Sequence, residues 1–169
     1  MRLQPALDHV HGLLATGEGT LLAGTHSGVA AITRAGAVTG VGSGADDLMG
    51  MSGIPGTDQL VSSGHPGEGS DQPNPLGVIA SDDGGTTWRS VSLTGEVDFH
   101  ALATSGDLVV GYDGRAGLLV STDAGTTFSP GARIAPVALA ITPGGVWATT
   151  ADGVQRSTDA GRTFTSVAG

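Results

Sequence analysis

Ser121-Thr122-Asp123-Ala124-Gly125-Thr126-Thr127-Phe128 decides the reading of this chain, because the same pattern returns on either side of it. The other copies are Ser81-Asp82-Asp83-Gly84-Gly85-Thr86-Thr87-Trp88 and Ser157-Thr158-Asp159-Ala160-Gly161-Arg162-Thr163-Phe164, and all three fit S-x-D-x-G-x-T-[WF]. From Asp83 to Asp123 is 40 positions and from Asp123 to Asp159 is 36, a period that signals a repeat architecture. Each copy follows a short β-rich run (GVIAS, GLLVS, GVQRS) and leads into another, which places it on a hairpin turn. The letters suit that turn. The aspartate can accept hydrogen bonds from backbone N–H groups of its own turn, glycine supplies a positive φ, and serine and threonine tie the strand ends together. The aromatic residue then returns to the apolar layer. The motif therefore reads as a structural staple and not as a catalytic group.

Working outward from the staples, the last unit reads PVALAIT, VWATT, GVQRS and FTSVA, and the one before it DFHALAT, LVVGY, GLLVS and FSPGA. An earlier unit runs through DDLMGMSG, QLVSSG, GVIAS and WRSVSL. The first comprises HVHGLLAT, TLLAGT, GVAAIT and AVTGVG, with its staple decayed to Thr33-Arg34-Ala35-Gly36. Four strands per unit is the count of a propeller blade. The expected fold is all-β, one domain over 1–169, with four blades of four antiparallel strands at about 9–44, 46–93, 98–133 and 136–169. Residues 66–76 (PGEGSDQPNPL) form a polar, proline-rich loop between the second and third strands of blade 2.

The three motifs resemble the Asp box, or BNR repeat, of sialidases, sortilin-type receptors and photosystem assembly factors, where it joins the third and fourth strands of a blade. The segments His9-Val10-His11-Gly12-Leu13, Ser63-Gly64-His65-Pro66 and Asp98-Phe99-His100-Ala101-Leu102 are similar to those of secreted actinobacterial BNR-repeat proteins labelled glycosyl hydrolases. The resemblance implies an extracytoplasmic propeller. Its relatives carry further blades, so the resemblance also implies self-association or further blades beyond these four, because stacked repeats bury their apolar faces only against neighbours.

Composition removes several partners. Net charge is −9, with seven arginines and no lysine, so no basic patch exists to neutralise a phosphate backbone. There is no cysteine, which excludes disulfides and thiolate chemistry. No twenty-residue apolar span is present, so no membrane span is expected, and residues 1–8 (MRLQPALD) lack the apolar core of a signal peptide. A secreted protein would then have its targeting segment outside this sequence.

Sialidase chemistry needs an arginine cluster, a tyrosine nucleophile with its glutamate, and an acidic proton donor. The only tyrosine is Tyr112, beside Asp113; Glu18, Glu68 and Glu96 fall in turns or loops; and Arg89, Arg156 and Arg162 flank the Asp boxes. No sialidase constellation emerges. A carboxylate pair such as Asp98 with Asp113 leaves a different glycoside hydrolase as the alternative, and an assembly scaffold is a third reading.

The histidines carry more. His9 and His11 open the first strand of blade 1 and, two apart, point to one side of it. His100 holds the matching strand of blade 3, Met49 and Met51 lie in that strand of blade 2, and His26 and His65 end second strands at equivalent heights. Imidazoles with thioethers suit copper, and imidazoles with a carboxylate such as Asp98 suit zinc. The expected metal set is His9, His11, His65 and His100 with Met49 or Met51; the same histidines also fit hydrogen-bonded pore or turn positions. The reading is a binding propeller for a protein or glycan ligand, with a His/Met-lined transition-metal site.

Overall fold

The computed structural model describes residues 2–16 and 19–167. Glu18 and the last two residues of the fourth blade lie outside the described residues. Every regular element among the described residues is a strand, and the sixteen strands form four antiparallel four-stranded sheets. Each sheet is a meander in chain order, as expected of propeller blades. Two compact units divide after Asp98, each holding two blades.

In the first unit, β1 (Val10–Ala15), β2 (Leu21–Thr25), β3 (Gly28–Ile32) and β4 (Val38–Val41) form blade 1. Blade 2 comprises β5 (Asp47–Gly53), β6 (Leu60–His65), β7 (Val78–Ser81) and β8 (Arg89–Ser92). Successive side chains point to opposite faces, and in β2, β3 and β7 nearly every position is buried, so these inner strands are covered on both faces. Leu22 and Val29 from blade 1 meet Leu48, Met51, Leu60 and Ile79 from blade 2 in one buried cluster, against which Trp88 packs. Loop residue Leu76 closes the same cluster, so the 66–76 insert is anchored at its end. That cluster is what fixes β1 and β2 beside β5.

In the second unit, β9 (Ala101–Ser105), β10 (Leu108–Tyr112), β11 (Leu119–Ser121) and β12 (Ser129–Pro130) form blade 3, and β13 (Ala138–Thr142), β14 (Gly145–Thr150), β15 (Gly153–Ser157) and β16 (Thr165–Ser166) form blade 4. Val110, Leu118, Val120 and Val146 make its buried cluster, with Phe164 packed on it. Phe99, fully buried, lies 5.7 Å from Phe128 between ring centroids. The fourth strands β12 and β16 pair over only two residues each. Past Pro130 the chain stays bonded to blade 3 irregularly, the Gly131 N–H donating to the Leu118 carbonyl at 2.8 Å and the Leu118 N–H to the Ala132 carbonyl at 2.9 Å.

The turn motifs sit between third and fourth strands, at Asp83, Asp123 and Asp159. In each the aspartate closes the turn. Asp123 Oδ1 accepts from the Ser121 hydroxyl (2.7 Å) and the Thr127 N–H (2.9 Å), and Oδ2 from the Thr127 hydroxyl (2.7 Å). Ser121 Oγ in turn accepts from the Gly125 N–H at 2.9 Å. The Asp83 turn repeats this with Ser81, Thr87 and Gly85, and the Asp159 turn with Ser157, Thr163 and Gly161. The aromatic residues Trp88, Phe128 and Phe164 follow and turn inward. Because these bonds favour the ionised form, the hydroxyl and N–H of Thr87 hold Asp83 down to about 2, and the N–H and hydroxyl of Thr127 do the same for Asp123. Asp159 is depressed for the same reason, led by the Thr163 hydroxyl.

Candidate metal centre

Two glycines let the first strand of blade 2 pass close to blade 1. A Cβ at Gly24 would stand 3.3 Å from the Leu48 carbonyl oxygen and from Met51 Cβ, and one at Gly12 would stand 3.4 Å from the Met51 carbonyl oxygen. With no side chain in the way, β5 runs against β1 and β2, and its opening residue Asp47 arrives beside the histidines of blade 1.

His11 reaches that place through an irregularity. The β1–β2 register shifts between Val10 and Gly12, which leaves His11 as the extra residue, and β5 carries the matching shift at Met49, between Leu48 and Gly50. A bulge re-aims a side chain. His26 lies in the β2–β3 turn. Thr25 shapes this turn by donating its hydroxyl to the Gly28 carbonyl and accepting the Ser27 N–H, both at 3.0 Å. The Ser27 hydroxyl donates to Asp8 Oδ2 at 2.8 Å, tying the turn to the segment that enters β1.

The result is a small triangle of donor atoms. His11 Nε2 is 3.4 Å from His26 Nδ1 and 3.4 Å from Asp47 Oδ1, while His26 Nδ1 is 2.9 Å from Asp47 Oδ2. One donor atom from each of the three residues falls within 4.8 Å of the others. Ligands about 2.0–2.1 Å from a zinc-sized ion are themselves about 3.3 Å apart at tetrahedral angles and about 2.9 Å apart at right angles. The nitrogen–nitrogen separation and each nitrogen–oxygen approach, made to a different oxygen of Asp47, are close to the edge lengths of such a coordination shell.

Two electrostatic features fit an ion there. Asp47 Oδ1 is buried and has no hydrogen-bond partner, since its approach to His11 lies outside hydrogen-bond geometry. Burial lowers the pKa of His11 despite the opposing pull of Asp47, which keeps the ring neutral and its lone pair available near neutral pH.

The other expected residues fall in different places. His9 stacks on His11 with centroids 4.6 Å apart and planes 8° apart, and meets His26 edge-on at 5.2 Å. His65, the Cα partner of Asp47 across β5 and β6, places Nε2 3.1 Å from Asp98 Oδ2 and Nδ1 2.7 Å from Asn74 Oδ1. It forms a neighbouring pair with Asp98 and not a third imidazole of the triangle. Met51 packs in the apolar cluster of the first unit, and Met49 is the half-buried bulge residue of β5. His100 belongs to the second unit, where its N–H donates to the Tyr112 carbonyl at 2.9 Å. The sequence singles out His26 by its position at the end of a second strand without assigning it to the ligand set, and gives Asp47 no role. The available signal was positional: aligned on the glycines Gly12 and Gly50, Asp47 occupies the place of His9, and His26 ends the hairpin whose other strand begins at Val10.

Solved structures with a similar fold are propellers. An ancestral GH74 enzyme matches over 97% of this chain and 24% of its own length, at 15% identity and TM-score 0.65. The Niastella koreensis GH74 enzyme matches over 96% of this chain and 30% of its own, at 18% identity and TM-score 0.67. YCF48 bound to D1 peptide matches over 95% and 45%, at 18% identity and TM-score 0.51. The chain is a β-propeller in fold. It spans about a quarter to under a half of those proteins, and at such identities the likeness is one of fold alone. No protein-family model matches the chain, and none of the curated proteins does.

Proposed function

We propose that this propeller is an extracytoplasmic binding module of the Asp-box type that holds a divalent transition-metal ion through His11, His26 and Asp47. The observation carrying this reading is the donor triangle, in which two imidazole nitrogens and a carboxylate from three strand ends converge at coordination-shell spacing. Two neutral imidazoles with a carboxylate suit zinc or copper(II); copper(I) would call for soft donors, and the Met51 thioether is committed to the core. The interaction role draws support from the rigid, staple-closed blades, which offer loops such as 66–76 for a ligand, and from YCF48, a propeller of similar fold solved with a peptide. Sialidase chemistry is not the reading we favour. Glu68 and Glu96 are exposed loop residues.

Titration of zinc and copper(II) into metal-stripped protein tests the site. The expected result is binding tighter than about 1 μM, weakened more than about tenfold in His26→Ala and in Asp47→Asn and unchanged in His100→Ala. Weaker binding of both metals, or variants that bind as the parent does, would overturn the metal reading.

A further inference from the structure

Resting on that metal reading, we infer that the centre is coordinatively open and takes a small exogenous anion of the carboxylate class directly on the ion.

The first ground is ring geometry. A nitrogen lone pair lies in the plane of its imidazole, so two rings can serve one ion only where their planes lead to a common point. His26 stands at 84° to His11, with centroids 4.5 Å apart, and its Nδ1 faces His11 Nε2. His9 is parallel to His11 within 8° at 4.6 Å. Its lone pairs therefore run alongside those of His11 and do not converge with them. The nearest further imidazole is thus held in an orientation that leaves the ion with three protein ligands.

The second ground is the surroundings. His65, next along β6, is already held between Asn74 and Asp98, and Asp98 Oδ2 is taken up by His65. Both ring nitrogens of His65 are thereby engaged, which keeps this imidazole out of the shell. His26 has a side chain 46% exposed whereas that of His11 is only 11% exposed, so the ion would be walled on the β1 side and open to solvent on the side of the β2–β3 turn. Three protein ligands with an open side is the arrangement that admits an outside ligand, whereas closed four-ligand sites are structural. Two histidines and one carboxylate is also a recurring donor set of metal centres with open positions.

The third ground is charge. A divalent ion with two neutral imidazoles and one carboxylate keeps a net positive charge in a chain of net charge −9, so the complementary occupant of the open position is an anion. A carboxylate, borne by a free acid or by an acidic side chain or terminus of a bound peptide, meets that requirement.

Cobalt(II) makes the open position visible, because its absorption bands report coordination number and ligand exchange. Cobalt(II) is loaded into metal-stripped protein, and azide and then acetate are added as anion probes. Saturable band shifts are expected with both, with cobalt affinity and anion response in His9→Ala within about twofold of the parent. Unchanged bands on adding either anion, or loss of cobalt binding in His9→Ala, would show a shell closed from within and overturn this inference while leaving the metal site standing. A protein that binds no cobalt, or whose Asp47→Asn variant binds it as well as the parent, would remove the metal reading and this inference with it.

Discussion

His11 Nε2 and His26 Nδ1 face one another at 3.4 Å although the residues lie 15 apart in the chain, and the same carboxylate, Asp47, reaches both. Two lone-pair-bearing nitrogens directed at one point repel unless a proton or a cation lies between them. The bulge at His11 and the turn at His26 put the two side chains on neighbouring backbone positions.

Metal should therefore stabilise the first unit. An ion that binds only the folded chain adds about 2.7 kcal/mol at one hundred times its dissociation constant. Zinc at that excess should raise the midpoint of thermal unfolding of the parent and leave Asp47→Asn unmoved, as read by far-ultraviolet circular dichroism. An equal rise in both would place the bound metal elsewhere.

Affinity for that metal should fall as pH drops below the ordinary histidine value of about 6.5, since protons and the ion compete for the same imidazole nitrogens. Burial lowers the His11 pKa, so its own contribution to this loss should come at a lower pH than an ordinary histidine would show. Zinc titrations between about pH 5 and 8 check the sign. Affinity that rises on acidification would contradict neutral-imidazole ligation.

The Asp-box aspartates should make the fold acid-sensitive in a narrow window. Asp83 and Asp123 are depressed to about 2 in the folded chain, below the unfolded value of 3.8, so the unfolded state takes up protons first as pH falls. Their stabilisation is whole above about pH 4 and is lost as pH falls through about 2. Asp123→Ala should lower the unfolding midpoint at pH 7 and flatten the part of the acid transition that Asp123 carries, with zinc binding intact. Denaturant titrations at a series of pH values would show it; a variant as stable as the parent at pH 7 would contradict the staple.

Gly111→Ala should destabilise the second unit. A Cβ there would come within 2.6 Å of the Phe99 ring, and Phe99 is fully buried with no room to retreat. Overpacking of this kind costs about 1–3 kcal/mol, measurable as a shift in the denaturant midpoint. A companion Phe99→Ala, which removes the obstacle, should cost about 3–5 kcal/mol by itself and abolish the additional penalty of Gly111→Ala.

The sequence by itself determined the blades. Three turns with the same letters at blade spacing, each flanked by short apolar runs, fix strand count, order and direction, because those turns are made by contacts within a few residues: Asp123 bonds to Thr127, and Ser121 to Gly125. Local chemistry of this range is written in local sequence. The donor triangle was not legible in the same way. His9 and His11 suggest a shared strand side, yet the bulge at His11 and the closeness of β5 arise from the packing of Gly12 and Gly24 against Leu48 and Met51. Only that packing brings Asp47 to His26, and only burial in the apolar cluster removes Met51 from the set of available ligands. Turn hydrogen bonds span four residues, whereas a side-chain cluster joining β1, the β2–β3 turn and β5 is decided by which faces the hydrophobic core draws together.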